Sequence, residues 1–256
     1  MTAPVFLVDG ERLSGLSGDA AGARPGRLVT LDGQEGRHAV AVRRLRVGEE
    51  IVLTDGAGTG AYGTVAAVEG KDRLDVAVAE LRTQAPPNPR ITVVQALPKG
   101  DRGELAVETM TETGVDAVVP WAAARCVTQW KGERGLKALG KWRATAREAG
   151  KQSRRLRFPD VTDLMSTRQV ARLLASASFA AVLHEEGSEP LASAELPAGG
   201  DIVLVVGPEG GVSPEELAVF AEAGAKPYRL GPTVLRTSTA GTAASALLLG
   251  RTGRWG

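Results

Sequence analysis

Residues 202 to 216, IVLVVGPEGGVSPEE, set a run of β-branched and apolar side chains against a glycine-rich turn and a helix start. A run this apolar, bounded by glycine, fits a strand buried on both faces, as in a parallel sheet covered by helices. Gly207, Gly210 and Gly211 permit positive φ and let a ligand approach the backbone where a Cβ would otherwise stand. Ser213 is placed to cap the helix, Glu216 reaches back from three residues on, and Pro214 takes the first helical position, where a missing N–H costs nothing. Strand, tight loop and capped helix is the arrangement in which α/β proteins hold ligands. The plainer alternative is an αβ turn that needs glycine only for tightness.

A second loop of the same build follows. LGPTVLRTSTA, residues 230 to 240, again leads from a short strand into a helix, and two such turns so close in sequence suggest one pocket. The helix beyond it places Ala240, Ala243, Ala244, Leu247 and Leu248 on one face by helical spacing, a stripe small enough for close backbone approach. A third glycine cluster is a decoy. Gly58-Thr59-Gly60-Ala61-Tyr62-Gly63 satisfies the dinucleotide spacing, yet the strand-like Thr64 to Val68 follows it where a phosphate site needs a helix N-terminus, so it reads as a hairpin loop.

The chain changes character at a seam. Residues 1–82 alternate short β-type segments (Arg27 to Leu31, Glu50 to Asp55, Ala61 to Val68, Arg73 to Leu81) with glycine turns, plus a short helical piece near His38 to Leu45. Residues 83–90, TQAPPNPR, form a proline-rich linker, and residues 91–256 alternate strands (Ile91 to Leu97, Ala117 to Pro120, Phe179 to His184, Ile202 to Val206, Pro227 to Leu230) with helices (Asp101 to Thr113, Gly135 to Lys151, Thr167 to Ala175, Pro214 to Ala223, Thr239 to Leu249). Asp101 with Glu104 reads as a further cap, and Gly114 and Gly224 stand where helices end.

A net charge of +1 conceals an asymmetry. From Arg125 to Arg157 eleven basic side chains face only Glu133 and Glu148, and residues 24–46 carry six arginines against Asp32 and Glu35. Such runs suit a nucleic-acid backbone, solvated helix faces being the bland alternative. Aromatic residues make up 4% of the chain, so the core must be aliphatic. With one cysteine, Cys126, and two histidines, His38 and His184, neither a disulfide framework nor a zinc cluster can be assembled, and no metal is expected. The start, MTAPVFLVDGER, has no leader pattern and no apolar run approaches a membrane span, so a cytoplasmic, reducing location is expected.

The motif GPEGG-x-S-x-x-E, followed by LGP-x-x-LRT-x-TA, resembles the C-terminal signature of the ribosomal RNA small-subunit methyltransferase E family, in the SPOUT superfamily of knotted methyltransferases. The likeness extends upstream through Lys99-Gly100-Asp101-Arg102, Glu112-Thr113-Gly114-Val115, Pro120, Arg125-Cys126-Val127, Glu148-Ala149, Gln152-Ser153, Arg155 and Pro159. It also takes in His38-Ala39-Val40, Arg43, Leu45, Val47-Gly48-Glu49 and Asp55-Gly56, and so covers nearly the whole chain. One position departs: Ser238 stands where the family more often has an acid, and a role resting on that carboxylate does not transfer.

The resemblance implies an α/β fold: a PUA-like RNA-binding β-barrel over 1–82, then a SPOUT domain over 91–256 with a mainly parallel sheet and a trefoil knot. It implies methyl transfer from S-adenosylmethionine to N3 of a uridine in 16S ribosomal RNA, on naked RNA or the assembled small subunit, by a homodimer. Cofactor contacts would come from Leu183, His184 and Glu185, from Gly207, Pro208, Gly210 and Gly211, and from Leu230, Gly231, Leu235, Thr237, Thr239 and Ala240. Arg236 would steady a phosphate or the uracil oxyanion, since its pKa is too high for a base, and Glu209 would approach the sulfonium or the N3 proton or tether loop N–H groups. RNA contacts are expected from His38, Arg43, Arg44, Arg46, Lys99, Arg102, Arg125, Arg154 and Arg155. No residue is singled out as general base. A non-catalytic RNA-binding assembly factor that keeps the fold is the alternative.

Overall fold

The computed structural model describes residues 3–16 and 27–256; Met1, Thr2 and Arg24 of the stretches above lie outside them. The chain forms two compact units, Met1–Pro86 with Gly150–Phe158, and Pro87–Ala149 with Pro159–Gly256.

In the first unit, β1 (Val5–Leu7), β2 (Arg27–Leu31), β3 (Glu50–Thr54), β4 (Thr59–Glu69) and β5 (Arg73–Thr83) make one sheet in the order β1-β3-β4-β5-β2. β1 runs parallel to β3 and the other pairs are antiparallel. Alternation drives it: Leu74, Val76 and Val78 of β5 turn inward to meet Phe6, Leu31, Ile51 and Leu53, each such side chain contributing roughly 1.5–3 kcal/mol on burial. The three-residue β1 is too short for alternation to be read from the sequence. α1 (Gly10–Ser14) starts at Asp9, whose carboxylate accepts the Glu11 N–H; α2 (Gly33–Arg37) continues into a π-helical turn, His38–Val42.

The decoy glycines acquire a reason here. Residues 155–158 lie along the loop before β4: Gly58 N donates to Leu156 O, Phe158 N to Gly56 O, and Arg157 donates to Gln84 O. A Cβ on Gly58 would stand 2.5 Å from the Arg157 guanidinium, and one on Gly60 would stand 2.7 Å from Leu156. Gly63 sits at a bulge, where a Cβ would come within 2.2 Å of Ala77 O.

The second unit holds β6 (Arg90–Ala96), α3 (Arg102–Thr113), β7 (Ala117–Trp121), α4 (Gly132–Gln152, whose last turn belongs to the first unit), β8 (Asp160–Val161), α5 (Thr167–Ala175), β9 (Phe179–Leu183), β10 (Glu189–Pro190), β11 (Asp201–Val206), α6 (Pro214–Glu222), β12 (Lys226–Arg229) and α7 (Thr237–Arg251). The sheet order is β10-β12-β9-β11-β6-β7-β8 and every pairing is parallel. β11 is central and buried on both faces: Ile202, Leu204 and Val206 meet α3, α4 and α7, while Val203 and Val205 meet α5 and α6. The core is mainly aliphatic, yet Trp121 and Phe220, 5.3 Å apart, are fully enclosed in it.

Two local expectations need correction. Asp101 makes no side-chain cap bond, because its ψ of 3° lies outside the extended conformation that caps adopt. The buried face of α7 is Thr237, Ser238, Gly241, Ala244, Ser245, Leu248 and Leu249, so Ala240, Ala243 and Leu247 are only half-buried. The close approach inferred for α7 does occur, at Gly241, where a Cβ would lie 2.7 Å from Met110 Sδ and 3.3 Å from Val93. Among the described residues no helix is long and apolar enough to cross a membrane.

Candidate functional site

Five parallel strands, β12, β9, β11, β6 and β7, stand side by side and release their loops at the same edge of the sheet. Register brings Leu183 of β9 opposite both Val206 of β11 and Tyr228 of β12, so the loops after residues 183, 206 and 229 emerge as neighbours. A crevice outside the carboxyl ends of parallel strands is where open α/β sheets bind ligands.

The loop after β11 is fixed at both ends. Ser213 Oγ accepts the Glu216 N–H at 3.2 Å and Glu216 Oε2 accepts the Ser213 N–H at 3.1 Å, the expected capping box with Pro214 at its start. Glu216 is buried, and its other oxygen accepts Ala124 N at 2.8 Å and the Thr167 hydroxyl at 3.0 Å. That wider role was not legible, because its partners lie far off in sequence. The Glu215 carboxyl beside it is held below the usual carboxylate range by its own backbone N–H, then by the Ser213 hydroxyl, with Arg125 adding a smaller pull.

Of the three glycines, only Gly211 takes positive φ, 74°. Gly207 and Gly210 are needed for space instead: a Cβ on Gly207 would lie 2.8 Å from Val212 Cγ2, and one on Gly210 would lie 3.2 Å from Arg125 Cβ. Arg125 Nη1 donates to Gly210 O at 3.0 Å, and Glu209 Oε1 accepts the Lys99 N–H at 3.2 Å. Glu209 is thus one of the braces joining this loop to the turn after β6. Thr128, on the loop after β7, ties that loop to the same turn by donating to Pro98 O at 2.8 Å. Cys126, next to Arg125, has its thiol pushed up by burial, with Glu216 and Glu209 as smaller causes.

The companion loop is stitched to the first. Thr237 Oγ1, in the first turn of α7, donates to Gly207 O at 3.1 Å. Arg236 is the N-cap residue of α7, in extended conformation, and its backbone carbonyl accepts the Thr239 and Ala240 N–H groups. Its side chain is exposed, as are Val234 and Leu235, while Leu230, Gly231 and Ala240 are half-buried and Thr239 is exposed. Ser238 is buried, 4% exposed. On the third loop His184 N donates to Tyr228 O, and its Nδ1 accepts the Glu186 N–H at 3.2 Å, which ties the ring to its own turn. Glu185 is exposed. Gly187, which the sequence reading passed over, is buried with no room for a Cβ, which would lie 2.6 Å from the Tyr228–Arg229 backbone. Its only signal was a lone glycine in HEEGS.

The expected RNA-contacting residues divide. Lys99 and Arg125 are exposed on the loops after β6 and β7, and Arg102 is half-buried at the start of α3. Arg43, Arg44, Arg46 and Arg154 are exposed in the first unit, and Arg155 is half-buried with Nε donating to Arg157 O. His38 packs edge-on against Phe6, ring centroids 5.6 Å apart. A cleft of about 620 Å³ opens at the opposite, amino ends of β9 and β12, between Phe179, Glu189, Glu195 and Lys226, and takes in none of these loops.

What the converging loops offer is mostly backbone N–H and C=O on glycine-rich turns, groups suited to reading a nucleobase edge, beside free cations suited to phosphate. Residues 86–249 match the family described as the RNA methyltransferase domain, and residues 31–79 match the RNA methyltransferase PUA domain. The chain is 46% identical to ribosomal RNA small subunit methyltransferase E of Mycobacterium bovis over 234 residues, 90% of this chain and 89% of the relative. It is 31% identical to the Bacillus subtilis protein of that name, covering 82% of this chain and 85% of the relative. The crystal structure of the Neisseria gonorrhoeae member, bound to S-adenosyl methionine, superposes with a TM-score of 0.82 at 27% identity and covers 98% of each chain. A domain match over most of the chain and near full-length identity agree with the loops just described, and the chain belongs to the ribosomal RNA small subunit methyltransferase E family.

Proposed function

We propose that this protein transfers a methyl group from S-adenosylmethionine to N3 of a uridine in the 16S RNA of the small ribosomal subunit. The observation that carries the reading is the stitch between loops, Thr237 Oγ1 to Gly207 O, which makes one cradle of the two glycine-rich segments. The cradle fits the cofactor: of Leu183 to Glu185, Gly207 to Gly211 and Leu230 to Ala240, all but the buried Pro208, Thr237 and Ser238 are exposed or half-buried at one edge, and Gly231 has nothing within 4 Å of a Cβ position. When bound, the cofactor supplies an electrophilic methyl on a sulfonium.

The chain's own share is positioning and electrostatics. In-line attack needs the acceptor nitrogen held at the methyl, and orientation of this kind supplies much of a displacement's rate. Uridine N3 carries a proton, so its loss leaves negative charge on the uracil ring. Arg236 stands at the N-terminus of α7, where the guanidinium and the helix dipole both favour that charge or a phosphate. Glu209, occupied by Lys99 N, serves as a tether on this reading, and the N3 proton passes to water or is already lost when the ionised uracil binds.

The finer architecture belongs to the same proposal. The first unit's sheet is a PUA-like barrel that docks RNA, residues 1–82 and 91–256 are the functional domains either side of a linker, and the enzyme works in the cytoplasm as a homodimer. A trefoil knot is supported by the path of the chain: it leaves β12, beyond β9, and crosses back to seat α7 against α3, β6 and β11.

The test is mass mapping of nucleosides after incubating unmethylated small ribosomal subunits with the protein and labelled S-adenosylmethionine. A single 3-methyluridine is expected. Label on another atom would overturn the position, and no transfer despite RNA binding would favour a non-catalytic assembly factor, the reading that buried Ser238 leaves in play.

A further inference from the structure

Two helix ends in the first unit break a rule that the chain keeps elsewhere. After α3 and after α6 the left-handed residue is glycine, Gly114 at φ 113° and Gly224 at φ 88°, as a missing Cβ favours. After the π-helical turn it is Arg44 at φ 57°, and after α4 it is Arg154 at φ 58°. Among the described residues these are the only non-glycine residues with positive φ.

Hydrogen bonds lock both corners. Arg43 N donates to His38 O and Leu45 N to Ala39 O at the first; Arg154 N donates to Lys151 O and Arg155 N to Gly150 O at the second. Lys151, 5% exposed, pairs with Glu35 at 2.7 Å, and Glu35 also accepts the Leu7 N–H, so α2 and the last turn of α4 are tied within one unit. Both arginines are exposed, and neither guanidinium is engaged by a hydrogen bond or ion pair among the described residues.

Among the described residues nothing rewards this choice. A cation anywhere in the last turn would answer the helix dipole without entering the left-handed region, and glycine would relieve the Cβ. Backbone strain that persists at exposed, unpaired residues points outward, to something the side chain meets. The neighbours define its sign: Arg43 and Arg46 are exposed beside Arg44, and Glu49 already accepts the Arg46 N–H.

We infer that Arg44 and Arg154 are a paired, backbone-locked grip for RNA phosphates on the first unit, an inference that rests on the RNA-methyltransferase reading and adds which cations are built for the substrate. The fork of a guanidinium matches phosphate oxygens, and a locked backbone lowers the ordering cost of the contact.

The full chain carrying Arg44→Gly and Arg154→Gly tests it against transcribed 16S RNA. Melting temperature is expected to hold or rise by up to about 4 °C, since glycine relieves φ while loosening the unfolded chain. Affinity for S-adenosylmethionine by calorimetry should stay within about twofold. The RNA dissociation constant should rise by about tenfold at moderate salt, and the slope of log affinity against log salt should fall by roughly 1.5, near 0.7–0.9 per phosphate. Restoring charge with Arg44→Lys and Arg154→Lys should recover the slope. Wild-type RNA affinity and slope in the glycine variant would overturn the inference, as would a drop in melting temperature of several degrees. A wild-type chain that binds S-adenosylmethionine but no RNA would overturn it and spare the cofactor reading; one that binds neither would overturn both.

Discussion

Gly58 to Gly63 in the first unit and Gly207 to Gly211 in the second both look like ligand loops by composition, and the fold uses them in opposite ways. In the first, the space each missing Cβ leaves is filled from within: Arg157 at Gly58, Leu156 at Gly60, the Ala77 carbonyl at Gly63. In the second, Val212 and Arg125 brace Gly207 and Gly210 from one side, while Gly210 stays exposed and Gly211 has only the Arg125 guanidinium, 3.8 Å away, near a Cβ position. Spacing therefore says little about a glycine motif. What decides is whether the chain itself or an outside molecule takes up the room.

Crossed substitutions break that comparison if it is wrong. The largest effect is expected for Gly63→Ala, whose methyl would meet the Ala77 carbonyl in a half-buried strand pair: urea unfolding should show a loss of about 3 kcal/mol. That is a large part of the roughly 5–15 kcal/mol that holds a domain together, and S-adenosylmethionine affinity of the folded fraction should not change. Gly210→Val should do the reverse. Its φ is not positive, so the side chain mainly displaces Arg125 and occupies the open face. The cofactor dissociation constant by calorimetry should rise at least tenfold, about 1.4 kcal/mol, with under about 1 kcal/mol lost in unfolding. Equal behaviour of the two variants would erase the distinction between a filled cradle and an open one.

How much of this was legible depends on how local the cause is. Strands β6, β7 and β11 showed as apolar runs because a strand buried on both faces needs nothing else, and the Ser213–Glu216 box showed because its partners are three residues apart. The two-residue strands β8 and β10 carry no pattern to read. The inward face of α7 was misplaced by about a third of a turn because alanine, being small, fits buried and half-buried positions alike, while Ser238 and Ser245 read as polar yet lie inside. Glu216 as acceptor for Ala124 and Thr167, and residues 155–158 as filling for Gly58 and Gly60, depend on contacts across 40 to 100 positions, as the 92-residue span to Ala124 illustrates. The basic composition of 125–157 suits a nucleic-acid backbone, yet it conceals that Arg157 spends its guanidinium on Gln84 O.

A smaller effect separates tether from base at Glu209. Glu209→Gln keeps a carbonyl oxygen able to accept Lys99 N, so the loop should hold its place and the methylation rate should stay within about threefold of wild type. If the carboxylate took the N3 proton, the rate would fall by about 10² to 10⁴, and its pH profile would lose the acid limb. Glu209→Ala removes the acceptor and should raise the Michaelis constant for S-adenosylmethionine more than it lowers kcat.

The smallest effect reports on the brace behind the open loop. Burial raises the pKa of the Cys126 thiol, so at any pH below that value a smaller fraction is thiolate than for a free cysteine. Alkylation by iodoacetamide at pH 8 should accordingly be slow in the native chain and rise to the ordinary rate in urea, where the desolvation is gone. Cys126 follows Arg125 directly, so displacing Arg125 from Gly210 O ought to open this turn to solvent. In the Gly210→Val chain the native alkylation rate should increase by on the order of threefold, whereas in the Gly63→Ala chain, still folded, it should not move. An unchanged rate in Gly210→Val would mean that the loop takes the larger side chain on its solvent face without disturbing Arg125. The open side would then be roomier than a site that grips its ligand through backbone contact allows.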